Sequence, residues 1–263
     1  MDLHFDHEGD HCYATIEYES KEELVSRLLR EDQMKIPELY GDRTERFFEN
    51  HGGSFLLHRL ATGEDSDVYI FFEKKSERYG LIKLYDPEQC PTRLIDQYRA
   101  LTQQLIDDES IINQKIDLNA KLAIGDYAVS LRFVPVGDVV ERNGVNGIFI
   151  EREDWIRGDD VGASRSFVEK DQLYGSLAAR DVSEGGDSER MFAIPYPDRG
   201  EAIDLLESNI TPLLRTHTGV PDFWVYKTNV KVEIDRTRKR LILVVTDVSD
   251  SIQHTTFATQ PPR

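Results

Sequence analysis

The sequence predicts an α+β protein: a largely antiparallel sheet with helices set between clusters of strands. Three observations lead there. Strand-period runs come in groups rather than alternating one-for-one with helices, which disfavours a doubly wound parallel sheet. Residues 55–85 read as a three-stranded meander. The last patterned stretch alternates, Val230-Lys231-Val232-Glu233-Ile234, and returns across a charged turn into the apolar run 241–245.

Taken in order, Tyr13, Ile16 and Tyr18 mark a short first strand after a polar His/Asp stretch. Ser20 with Glu23 forms a capping box ahead of Leu24, Val25, Leu28 and Leu29, which share a helical face. A second helix is predicted over 42–50, anchored by Phe47 and Phe48 and ended by His51-Gly52-Gly53. The meander follows as strands 55–60, 68–72 and 79–85, separated by two polar turns. Pro87 and Pro91 interrupt the chain before a helix carrying Leu94, Ile95, Tyr98, Leu101 and Leu105 on one face.

Strands resume at 122–124, at 127–136 and, after the Asn143-Gly144 turn, at 147–150. Glycines interrupt residues 154–190, where a helix is expected over 167–177 and a mobile loop over 182–189. A strand at 191–196 precedes a helix capped by Asp198 and Glu201, with Ile203, Leu206 and Ile210 on one face and Pro212 kinking or ending it. The closing hairpin turns at 235–240, and the tail from 254 lacks pattern. These elements divide into an N-terminal region, 1–153, around the meander and a C-terminal region, 154–263, ending in the hairpin. One composite domain is the alternative.

The chain has 263 residues with 39% hydrophobic content, enough for an ordinary core without disulfide staples. Its net charge is −17, the acidic excess is spread along the chain, and Lys is scarce beside Arg, 11 against 21. Such a surface stays hydrated in concentrated salt, so a halophilic host is one reading and an acidic mesophilic protein the other. No apolar run is long enough to span a membrane and the first residues do not read as a secretory signal, so a cytoplasmic protein is expected. Cys12 and Cys90 sit in no CxxC pair, against a zinc ribbon or thioredoxin-type site.

Catalytic motifs are missing. His51-Gly52-Gly53-Ser54 lacks the phosphate-loop spacing and precedes a strand. Lys83 has no accompanying kinase motifs, and no serine sits in a GxSxG elbow. Two clusters stand out. His4, His7 and His11, with Asp6, Asp10 and Cys12 between and beside them, are residue types that ligate transition metals; the competing reading is a solvated polar terminus. Arg236, Arg238, Lys239 and Arg240 form the one dense basic cluster, at a hairpin tip where guanidinium forks could meet nucleic-acid phosphates; the competing reading is a solubilising turn.

Asp67-Val68-Tyr69-Ile70-Phe71-Phe72 followed by Glu77-Arg78-Tyr79-Gly80-Leu81-Ile82-Lys83-Leu84 resembles the strand–turn–strand of nucleoid-associated proteins of the NdpA type. Ile111-Ile112-Asn113-Gln114-Lys115, the strand near 127–134 and the strands 230–234 and 241–245 follow in a similar order. The resemblance implies a protein associated with nucleoid DNA, and it carries over no site residue. The reading that results is a non-enzymatic cytoplasmic binding protein, with DNA or a DNA-associated protein as partner and no cofactor. The alternatives are a metal-dependent hydrolase or nuclease using the N-terminal His/Asp cluster, and a protein-interaction or defence-system accessory protein.

Overall fold

The structure, a computed structural model, describes residues 3–8, 11–16, 22–23, 26–27, 42–62, 66–85, 90, 92–116, 127–151, 177–183, 191–194, 206–226 and 229–248. In chain order these form β1 (Leu3–Glu8), β2 (His11–Ile16), α1 (Asp42–Phe48), β3 (Phe55–Thr62), β4 (Ser66–Glu73), β5 (Arg78–Tyr85), α2 (Thr92–Asp107), α3 (Glu109–Lys115), β6 (Ala128–Phe133), β7 (Asp138–Arg142), β8 (Val145–Glu151), β9 (Leu177–Asp181) and β10 (Met191–Ile194). A π-helical turn (Leu206–Ile210), α4 (Thr211–Thr218), β11 (Val230–Asp235) and β12 (Arg240–Val245) complete them. Of the nine strand pairings among the described residues, seven are antiparallel, so the fold is α+β with largely antiparallel sheet. No helix among the described residues is long and apolar enough to cross a membrane.

Two compact units emerge, each discontinuous in sequence. One comprises Ser20–Gln103 and Pro135–Trp155; the other comprises Met1–Glu19, Gln104–Val134 and Ile156–Arg263. The chain therefore passes between units four times, the last passage close to the 153/154 boundary expected from the sequence.

The first unit holds a five-stranded sheet in the order β3-β4-β5-β8-β7, all antiparallel. Its meander is the one the sequence predicts. β7 is an addition: Asn143 and Gly144 both adopt positive φ, 49° and 74°, the geometry of a tight hairpin turn joining β7 to β8. α1 lays Phe47 and Phe48 into the core, where Phe48 meets Phe55 at 5.1 Å and Phe71 meets Phe149 edge-on at 5.0 Å. The helix ends at Phe48 and the chain reverses at Asn50, in the left-handed region, two residues before Gly52–Ser54 forms a short 3-10 turn.

Arg78 closes one end of that core. Its guanidinium lies 5.1 Å from the Phe149 ring, donates from Nε to Glu151 at 2.6 Å and pairs with Asp138 at 3.0 Å. Burial opposes its charge, yet the hydrogen bond and field of Glu151, with Asp138 beyond it, outweigh that and hold the pKa above its ordinary value.

The second unit contains the hairpin β1-β2 and a mixed five-stranded sheet in the order β10-β9-β11-β12-β6. Its parallel junctions, β9 with β11 and β12 with β6, join strands distant in the chain. Alternation gathers the apolar residues of three strands onto one face, although Glu233, Asp235 and Val244 at intervening positions are buried as well. Val230, Val232 and Ile234, Leu241, Leu243 and Val245, and Val129, Leu131 and Phe133 are all buried, with Ile112 of α3 and Leu214 of α4 also buried.

Strand β6 lies at the edge of this sheet, and α3 covers it with side chains that stand in for a neighbouring strand. Asn113 Nδ2 donates to the Leu131 carbonyl at 3.0 Å, Leu131 N–H donates to Asn113 Oδ1 at 2.6 Å, and Phe133 N–H donates to Glu109 at 3.2 Å. Three backbone groups of an otherwise unpaired edge, the N–H and C=O of Leu131 and the N–H of Phe133, are thereby satisfied.

Several expectations are revised. Leu177 opens β9 rather than closing a helix; the rest of 167–177 lies outside the described residues. Val182 and Ser183, assigned to a mobile loop, are tied to the hairpin, with Val182 N–H donating to the Ile234 carbonyl at 2.9 Å. Pro212 stands in the first turn of α4, immediately after the π-helical turn, where its missing N–H costs no helical bond. The helix after Ser20 is seen at residues 22–23 and 26–27; its apolar face, the strand at 122–124, the caps at 198 and 201 and the tail from 254 lie outside the described residues.

Candidate anion-binding face

The alternate residues of β6, β11 and β12 build the opposite face of the sheet, on which Glu233, Asp235 and Val244 are buried and the others half-buried or exposed. Register aligns them in rows. Lys231 stands beside Val244 and then Arg132; Arg180 of β9 beside Glu233, Ile242 and Ser130; Asp235 beside Arg240 and Ala128. Each row brings at least one cation, and Glu233 and Asp235 are its carboxylates. At roughly 6.6 Å between rows and about 4.8 Å between strands, all of these fall within the footprint of a few phosphate groups.

Glu233 is the centre of this face and only 4% exposed. Arg132 Nη2 donates to its Oε2 at 2.8 Å, and Arg180 Nη1 approaches its Oε1 at 3.5 Å. The two guanidiniums thus stand on either side of one carboxylate and leave a net positive charge.

The basic cluster singled out from the sequence lies at the end of the same hairpin, but its four members are not equivalent. Arg236 faces the apolar side and is committed to Asp181, donating from Nε at 2.9 Å and pairing through Nη2 at 2.8 Å. Asp181 is 5% exposed and also accepts from the backbone N–H of Ser183, whose hydroxyl accepts in turn from the Arg236 N–H. Arg238, Lys239 and Arg240 are exposed, with Lys239 at φ 49° in the turn. Arg238 has a long 3.6 Å pairing with Asp235, whose carboxylate also accepts the Arg238 N–H at 2.9 Å. Arg238, Lys239 and Arg240 remain candidates for an external anion; Arg236 is a structural residue.

The histidine cluster has a different fate. His7 and His11 lie on separate strands rather than one helical turn: His7 is opposite Cys12, His11 opposite Glu8 and His4 opposite Thr15. His4 and His7 therefore take positions of opposite parity in the pleat. No group of three or more His, Cys, Asp or Glu that could hold a metal ion occurs among the described residues, and the side chains of this hairpin lie outside them.

Arg132, Arg180, Lys231 and Glu233 escaped the sequence reading because they are separated by up to about a hundred residues and come together only through two parallel pairings. The available signal was parity: charged residues at alternate positions of strands whose other positions are apolar define a second, polar face. The class of protein so far defined is an α+β protein with a cation-rich sheet face. No protein-family model and no curated protein matches the chain. The likeness to nucleoid-associated proteins is carried by the residues quoted for it alone.

Proposed function

We propose that this is a non-enzymatic binding protein that holds the phosphate backbone of nucleic acid against the polar face of the second unit's sheet and the tip of its hairpin. The observation that supports this reading most is the gathering of Arg132, Arg180, Lys231, Arg238, Lys239 and Arg240 around two carboxylates, on a chain of net charge −17. Long-range attraction is unfavourable for such a chain, so binding depends on this local patch. None of the register positions of this face, Arg180, Lys231, Ser130, Arg132, Arg240 and Ile242 among them, is aromatic, which favours contact with phosphates over base stacking and hence weak sequence preference. On this reading the protein works in the cytoplasm, at the nucleoid.

Fluorescence anisotropy with labelled single- and double-stranded oligonucleotides across a KCl series tests it. Affinity should fall linearly with log salt. The exposed-tip variant R238E/K239E/R240E should flatten the slope by about two to three units, given about 0.7–0.9 per lost phosphate contact. No binding at any ionic strength that keeps the chain folded, or an unchanged slope in the variant, overturns the reading; binding to an acidic polypeptide alone replaces nucleic acid with a protein partner.

A further inference from the structure

Glu233 lies buried between Arg132 and Arg180, the two arginines nearest the middle of this face. Each of its carboxylate oxygens reaches a different arginine, Oε2 to Arg132 and Oε1 to Arg180, by a single nitrogen, and the second contact is long, 3.5 Å. Among the described residues Glu233 is the one hydrogen-bonding partner of either guanidinium. Neither arginine therefore uses its paired N–H fork, the geometry that recognises carboxylate and phosphate best. Arg180 has a side chain only 15% exposed and Arg132 one 35% exposed, so both are positioned by the sheet rather than waving in solvent.

We propose that Glu233 is an internal competitor that sets the affinity of this face for phosphate. It holds Arg132 and Arg180 ready on either side, and its own charge repels the phosphate group that would bridge their unused forks. The inference rests on the nucleic-acid reading of the same face. It predicts weak, readily reversed binding by the natural chain and a tighter grip once the carboxylate is neutralised. Replacing Glu233 by Gln keeps the size and the acceptor oxygen while removing one negative charge a few ångströms from the ligand, which at an intermediate effective dielectric amounts to about tenfold in affinity.

The experiment uses the full chain, a fluorescein-labelled oligo-dT strand for anisotropy and inorganic phosphate for thermal shift. Glu233→Gln should bind oligo-dT about tenfold more tightly than the natural chain. Phosphate should raise its melting temperature by more, and adding Arg180→Gln should cancel both gains. A folded Glu233→Gln that binds equally or less tightly overturns the inference while leaving the nucleic-acid reading in place; failure of both chains to bind overturns that reading itself. Should Glu233→Gln not fold, Arg132→Gln serves. With one arginine gone Glu233 neutralises the other, so affinity must fall by more than it does for Lys239→Gln at the tip, and an equal loss overturns the inference.

Discussion

Arg236 directs two nitrogens, Nε and Nη2, to a single oxygen of Asp181, at 2.9 and 2.8 Å. The pair joins the start of the hairpin turn to the end of β9, with the Ser183 hydroxyl bridging to the Arg236 backbone. Truncating Arg236 removes a charged partner from a buried carboxylate. Arg236→Ala should cost about 2–3 kcal/mol, and Arg236→Glu more, whereas Arg238→Glu and Arg240→Glu should each stay within about 0.5 kcal/mol. Urea denaturation of the four variants checks this ranking.

The Asn113 amide serves both the N–H and the C=O of Leu131. Asn113→Leu removes both bonds and should destabilise by about 2 kcal/mol, with the Leu131 amide exchanging faster with solvent. Asn113→Asp should be worse than its small change in shape suggests, because a carboxylate oxygen then faces the Leu131 carbonyl. Hydrogen exchange resolved at Leu131 separates a local opening of the edge from a global loss of stability.

Gly147 and Phe47 share one space. A Cβ at position 147 would lie 2.5 Å from Phe47 Cζ, so Gly147→Ala must displace a fully buried ring and should cost about 1–3 kcal/mol. Phe47→Leu on its own leaves a partial cavity. The double variant should be less destabilised than the sum of the singles, and a double-mutant cycle measures that coupling. Strict additivity would mean that the ring and the glycine are independent.

Raising KCl from tenths molar to molar should increase the melting temperature. The 49 acidic side chains outnumber the 32 basic ones, and their mutual repulsion acts over a Debye length that shrinks from about 10 Å to about 3 Å. A midpoint that stays fixed or falls would remove the case for a salt-adapted surface.

What the sequence disclosed was whatever a strong local period could express. The meander, the Phe47/Phe48 helix, the apolar face of α2 and the terminal hairpin all follow from alternation or helical spacing within one element. The parallel pairings of β9 with β11 and β12 with β6 lie beyond any local pattern, because nothing in the run 177–181 states which distant strand it will join. The same limit hid the charged face, which needs three registers at once. The pairing of Arg236 with Asp181 was hidden for a related reason: a run of basic residues reads as one exposed cluster, and the alternation that turns Arg236 toward Asp181 continues past the strand end.

The order of the mixed sheet also has a consequence for how the chain is made. Synthesis runs from the N-terminus, and β12, which separates β11 from β6 in the finished sheet, leaves the ribosome more than a hundred residues after β6. At roughly 5–20 residues per second β6 waits on the order of ten seconds for its partner. Throughout that interval its outer edge can already be occupied by Asn113 and Glu109, which precede it, while its inner edge stays open. The nascent chain is thus protected on one flank and adhesive on the other. Premature release or stalling before residue 240 should yield a product that associates through that inner edge.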